Sequence, residues 1–118
     1  MIILHCIAKK MWEQMKKDPF FGQPMLEKSG MIHCSSIEYF WRVAPNFRKT
    51  EEELLLLCIE TDRLEAELRW EDLEGCSREY PHIYGLINRD AVVGVLPYQK
   101  DSDGNWIKNQ ELSAIENQ

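Results

Sequence analysis

The chain has 118 residues, enough for one compact domain with a single hydrophobic core. Hydrophobic residues make up 44% and charged residues 29%, the balance of a soluble globular protein, and a net charge of −6 disfavours generic binding to a phosphate backbone. No apolar run approaches the roughly 20 residues that span a bilayer. MIILHCIAKK at the N-terminus has no basic region ahead of its short apolar stretch, so neither membrane insertion nor a signal peptide is expected.

Residues 1–7 read as a strand that carries His5. Residues 8–17 read as a helix with Met11, Trp12 and Met15 on one face, closed by Asp18-Pro19. Residues 20–28 read as a loop, or a loop plus one short turn, punctuated by Gly22 and Pro24, with Phe20 and Phe21 in satellite packing. Gly30 breaks that segment, and residues 31–34 form a buried strand with His33 embedded in it. The strand is expected to stop at a helix N-terminus, because Ser35 and Glu38 have the S-x-x-E spacing of a capping box. Ile37, Phe40, Trp41 and Ala44 then share one helical face, and Pro45 ends the helix near Val43. Residues 54–59, LLLLCI, are apolar without alternation, which predicts a central strand buried on both faces. Residues 61–66 make a turn, and residues 67–71 alternate as a half-buried strand. A loop around Gly75 leads to residues 80–85, a cluster of polar rings around Pro81 and Gly85. A turn at residues 88–90 precedes a β-branched strand at 91–96. Asp103-Gly104 marks a turn before an edge strand at 105–107, and residues 108–118 are polar and expected to fray.

Two good helices among so many strands predict one α+β domain, with helices flanking a mixed or antiparallel sheet. The apolar runs at 1–7, 31–34, 54–59 and 91–96 are expected to build one core on which the His5 and His33 side chains converge. Cys6, Cys34, Cys58 and Cys76 lack C-x-x-C spacing and read as reduced thiols of a cytoplasmic protein.

The chemistry rests on few residues. His5, His33 and His82 are the three histidines, and all fall in or beside strands. His33 lies two residues before the expected helix start, where free N–H groups and the dipole favour an anion such as a phosphate. A satisfied core histidine beside an ordinary cap is the alternative. Ser35 serves either as that cap or as a nucleophile. Glu71 stands beside Trp70, where a carboxylate with a raised pKa becomes an acid or base; a solvated strand end is the alternative. Adjacent strand residues face opposite sides, so the two His-Cys pairs cannot jointly hold one zinc ion, and no metal is expected. A three-histidine site would require all three rings to converge. No dinucleotide, P-loop or nucleophile-elbow motif is present.

GMIHCSS, RWED and YPHIYG, in that order, resemble the bacterial domain-of-unknown-function family 952, with the likeness running over roughly residues 1–98. Residues 99–118 then form a C-terminal hairpin or edge strand and a frayed polar tail. The resemblance implies a split-sheet fold similar to that of ADP-ribosyltransferases, with a nicotinamide-dinucleotide cleft. By position His5 is similar to the histidine that holds the ribose, and His33 to the residue that stacks near the nicotinamide. The H-x-S ending at Ser35 also resembles the RNA 2′-phosphotransferase branch. At the third position residues 81–85 offer His82 and Tyr84 in place of a carboxylate, and Glu71 on another strand substitutes only if the fold brings it near. The expected function is an enzyme handling NAD or a related nucleotide by ADP-ribosyl or related transfer or hydrolysis. His33, Glu71, His82 and Tyr84 are its catalytic candidates, and His5, Ser35 and Trp70 hold the ligand. The alternatives are a non-catalytic nucleotide or small-molecule binding module and a histidine-dependent metalloenzyme. A small-molecule nucleotide is the expected partner, without generic nucleic-acid or membrane binding.

Overall fold

The computed structural model describes residues 1–116. Its centre is β5 (Leu54–Glu60), paired along its whole length with β1 (Ile2–Ala8), from Ile2 opposite Glu60 to Ala8 opposite Leu54. β4 (Ser35–Ser36) flanks β1 and β9 (Val92–Pro97) flanks β5, giving an antiparallel sheet of order β4-β1-β5-β9. A bulge at Cys58/Ile59 interrupts the β5–β9 ladder. β5 is buried on both faces, as its unbroken apolar run predicts.

The two faces of this sheet carry separate apolar clusters, which corrects the expectation of one core. Ile3, Ile7, Leu57 and Ile59 face the first cluster, and Leu4, Leu56 and Cys58 face the second. Strand alternation sends successive residues to opposite sides, so one apolar strand serves both. Each such fully buried Leu or Ile contributes about 1.5–3 kcal/mol.

The first cluster is covered by α1 (Lys9–Met15) through Trp12 and Met15, and by Phe21 of β2 (Phe20–Phe21) and Ile87 of β8 (Ile87–Asn88). A three-stranded antiparallel sheet closes it: β3 (Ile32–His33), β7 (Tyr80–Tyr84) and β6 (Glu67–Glu71), in that order. Residues 20–28, expected as a loop with at most one short turn, hold β2 and most of the seven-residue α2 (Gln23–Ser29). The punctuating residues turn out to be helix ends. Gly22 precedes the helix, Pro24 sits in its first turn, and Gly30 closes it in the left-handed conformation with its N–H on the Leu26 carbonyl.

The second cluster is covered by Phe40 of α3 (Phe40–Val43), Ala44 of the following 3-10 turn (Ala44–Phe47), and Leu112 of α4 (Gln110–Glu116). Tyr98 and Trp106 flank it, Trp106 at the start of β11 (Trp106–Ile107), which pairs with β10 (Gln99–Lys100) as the expected C-terminal hairpin. The polar tail expected to fray is helical at 110–116, with Leu112 fully buried; residues 117–118 lie outside the described residues. No helix among the described residues is long and apolar enough to cross a membrane.

The capping box at Ser35 is not formed. Ser35 and Ser36 pair with β1, Leu4 opposite Ser35, and the Ser35 hydroxyl donates to the Ser36 carbonyl at 2.9 Å. Ser36 instead receives the Tyr39 N–H on its Oγ at 3.2 Å, and the helix that follows has four residues. Ile37, Phe40 and Ala44 are buried, but Trp41 is 60% exposed, because residues 37–39 are a turn and the expected helical relation of Trp41 to Ile37 does not exist.

Candidate functional site

The ladder of the three-stranded sheet decides which side chains meet. Leu68 pairs with Ile83, Trp70 with Pro81 and Ile32 with Ile83, and these face the first cluster. The alternate positions are Arg69 opposite His82, Glu71 opposite Tyr80, and His33 opposite His82. The outer face of the sheet therefore gathers the polar rings and the carboxylate.

Glu71 Oε1 is the centre of this group. The Tyr84 hydroxyl donates to it at 2.6 Å, and His82 Nδ1 lies 3.1 Å away. The Tyr84 bond first, then His82, hold the Glu71 carboxyl below the usual glutamate value against partial desolvation. The same bond raises the Tyr84 hydroxyl, which stays a donor. With the carboxylate as acceptor, His82 donates its Nδ1–H to Glu71. The Arg69 guanidinium covers the Tyr84 ring at 4.4 Å. The His33 ring meets the His82 ring edge to face, centroids 5.1 Å apart. Desolvation, then the neighbouring His82, lowers the pKa of His33.

These rings border a cleft of about 260 Å³ between the end of this sheet and the α3 segment. His33, Glu71, Tyr80 and His82 line one side, Glu74 the loop, and Arg42 and Asn46 the other. Cys34 also lines it, but burial pushes its thiol well above the neutral range, so it is no thiolate nucleophile.

Of the residues singled out in the sequence, His33, Glu71 and His82 are brought together, Glu71 reaching His82 from the neighbouring strand. Tyr84 joins through Glu71 and does not itself line the cleft. The expected convergence of the His5 and His33 side chains is corrected: His5 donates its Nδ1–H to the His33 carbonyl at 2.8 Å, while the His33 ring turns to His82. His5 is only 7% exposed, burial lowers its pKa, and its Nε2 has no partner among the described residues. Ser35 is buried in the β1 pairing, and Trp70 packs against the first cluster, so neither lines the cleft. The four-residue α3 also removes the helix N-terminus expected to receive a phosphate. Arg42 and Tyr80 were not singled out as site residues. Arg42 carries no local signal, since its place follows from how α3 docks; Tyr80 could have been found from the same alternation that pairs it with Glu71. Among the described residues no group of three or more His, Cys, Asp or Glu side chains is placed to hold a metal ion.

Fold and cleft together define a small single-domain α+β protein with antiparallel sheets and a histidine–carboxylate group on the outer face of one of them. The chain belongs to the family of proteins of unknown function DUF952, whose model matches residues 6–95. It is similar in fold to the crystal structure of protein CC0527 from Caulobacter crescentus, with a TM-score of 0.82 and 24% identity over 96% of this chain and 99% of that one. A double mutant of that protein gives a TM-score of 0.81 at the same identity and coverage. Its solution structure gives 0.72 and 26% identity over 87% and 89% of the two chains. No curated protein matches the chain.

Proposed function

We propose that the cleft binds a nucleotide and acts on it by acid–base chemistry, with NAD as the first candidate and ADP-ribosyl transfer or hydrolysis as the reaction. The observation that carries this reading is the single Glu71 oxygen shared by His82 and Tyr84 at the edge of the cleft. A carboxylate so held orients His82 with Nε2 free to take a proton from an attacking hydroxyl or water. When the nicotinamide–ribose bond breaks, nicotinamide leaves with the bonding pair, and positive charge develops on the ribose. The Glu71 carboxylate stabilises that charge without reorganising. Tyr84 positions Glu71, and His5 positions His33 through its main chain.

The cleft is slightly smaller than the roughly 300–1,000 Å³ of most ligand sites, so it suits one end of a dinucleotide, with the rest across the rim. The division of the strands into separate antiparallel sheets supports an ADP-ribosyltransferase-like reading of the fold. The engagement of Glu71 Oε1 by two donors favours a second reading, a module that binds nucleotide without turnover.

Calorimetry and nicotinamide release on wild type, His33→Ala and Glu71→Gln test the proposal. Bound nucleotide at a hundredfold excess over Kd should stabilise the fold by about 2.7 kcal/mol. His33→Ala weakens binding in either reading. Glu71→Gln keeps the shape and removes the charge, so in an enzyme it lowers turnover far more than affinity. Nucleotide binding without nicotinamide release establishes the second reading. No thermal shift with any nucleotide of a panel, together with no nicotinamide release, refutes both.

A further inference from the structure

Among the residues lining the cleft, Arg42 is the only lysine or arginine. Its backbone is anchored, because Phe40 and Ala44 on either side are buried in the second cluster. Its guanidinium lies 5.8 Å from the centre of the Trp41 ring. The Nη1 nitrogen is out of solvent and has no acceptor among the described residues. Glu71 and Glu74 line the same cleft, yet neither supplies that acceptor. Glu71 is already turned to His82 and Tyr84. A buried donor on a charged group is costly when unpaired, and turning the guanidinium toward an anion in the cleft would relieve that cost. The same lining includes the two imidazoles, in edge-to-face contact with each other.

We infer that the cleft holds a tetrahedral oxyanion, the phosphate monoester of its ligand, between the Arg42 guanidinium and the His33–His82 pair, and that a proton is taken up as it binds. This deepens the nucleotide reading, rests on it for the identity of the ester, and narrows it to a nucleotide with a terminal phosphate, a group that NAD, whose two phosphates form an internal diphosphate, lacks. The charges facing the site require the proton. Arg42 contributes one positive charge from α3. Glu71 from β6 and Glu74 from the following loop contribute two negative ones, while Cys34, Asn46 and Tyr80 are the other polar groups present. With both imidazoles neutral the lining is net negative and repels a dianion. One imidazolium cancels that excess and adds a charged donor. Arg is suited to the other side, because its planar fork meets two oxygens of one phosphate.

Sulfate is the appropriate probe, because it stays doubly charged throughout the imidazole range, so its pH dependence reports the protein alone. Sulfate is titrated against chloride at constant ionic strength, following the His33 and His82 imidazole resonances. The expected result is saturable shifts of both rings and at least about tenfold tighter binding at pH 6 than at pH 8, as one linked proton requires. Arg42→Gln should weaken sulfate at least tenfold, and Arg42→Lys should restore part of the loss. Adenosine 5′-monophosphate should compete with sulfate, and adenosine should not. Equal affinity at both pH values, no saturation, or an unchanged affinity in Arg42→Gln overturns the oxyanion site. So does tighter binding of malonate than of sulfate, which assigns the site to carboxylates. The wild-type pH comparison needs no variant, so the outcome does not depend on either substitution folding. Sulfate binding without nucleotide binding upholds the oxyanion site and defeats the nucleotide reading. Equal binding of the monophosphate and adenosine, both indifferent to Arg42→Gln, does the reverse.

Discussion

Lowering the pH from about 7.5 to about 5.5 probes what the fold does to His5. The ring is buried, its Nδ1–H is given to the His33 carbonyl, and its Nε2 has no partner among the described residues. Protonation would place both a charge and an unpaired N–H in that environment. Burial therefore pushes the folded pKa down, more strongly than the bond to His33 raises it. In the unfolded chain His5 takes a proton below about 6.5. The folded chain refuses that proton until its own lower pKa is reached, so stability is lost as pH falls through the interval between the two. With His5 neutral in the folded chain throughout the window, the loss between pH 7.5 and 5.5 comes to about 1.4 kcal/mol. His33, also shifted downward, adds in the same direction, so a single-site variant is needed to isolate His5. His5→Asn serves, because its amide Nδ2 takes the place of Nδ1 and donates to the same carbonyl without titrating. The lowered carboxyls of Glu13, Glu60 and Glu71 lose their contributions below about pH 4.5, outside the window. Urea unfolding at both pH values gives the answer. Wild type should lose about 1 kcal/mol more than His5→Asn across the interval. Equal losses would refute the assignment of His5 as a buried neutral ring.

Leu112→Ala should destabilise the protein by about 2–5 kcal/mol in urea unfolding, because Leu112 is fully buried in the second cluster; a loss under about 1 kcal/mol contradicts the docking of α4. Gly22→Ala should cost more than about 1 kcal/mol, since Gly22 has φ +109° and an added Cβ would stand 2.6 Å from Ile32 Cδ1; an unchanged unfolding midpoint rejects that contact. In native protein a thiol reagent should label Cys76 first. Cys34 should stay unlabelled until unfolding, as should Cys58, whose thiol is pushed up to about 11 by burial first and by Glu111 second. Prompt labelling of Cys34 would contradict its burial.

Much of this arrangement was legible where one physical constraint acted alone. The unbroken run 54–59 has no polar side to offer water, so a central strand was its natural reading. The alternation at 67–71 put Glu71 and Arg69 on one face and Leu68 and Trp70 on the other before any partner strand was known. Where two constraints competed, the local one lost. Ser35 has capping-box spacing, but pairing with Leu4 in β1 claims its backbone; the Ser36 hydroxyl accepts the Tyr39 N–H in the turn that follows, and the N-cap, Tyr39, makes no side-chain cap bond. Trp41 looked buried only because a helix was assumed to begin four residues too early. The tail was read as polar, yet Leu112 and Ile115 are three apart and bring one apolar edge to the second cluster. Arg42 shows the other limit: its surroundings come from elements distant in sequence, which no local pattern encodes.

The two apolar clusters separated by the central sheet give the cleft a mechanical character. One of its walls, with His33, Glu71 and His82, stands on the first cluster; the other, with Arg42, hangs on the second together with α4. Opening of the C-terminal helix therefore loosens the Arg42 jaw without touching the histidine jaw. Such local openings cost less than global unfolding, and they deplete the fraction of molecules competent to bind. A ligand spanning both jaws ties together halves that otherwise breathe separately, and slower amide exchange in α4, remote from the chemistry, would register its arrival.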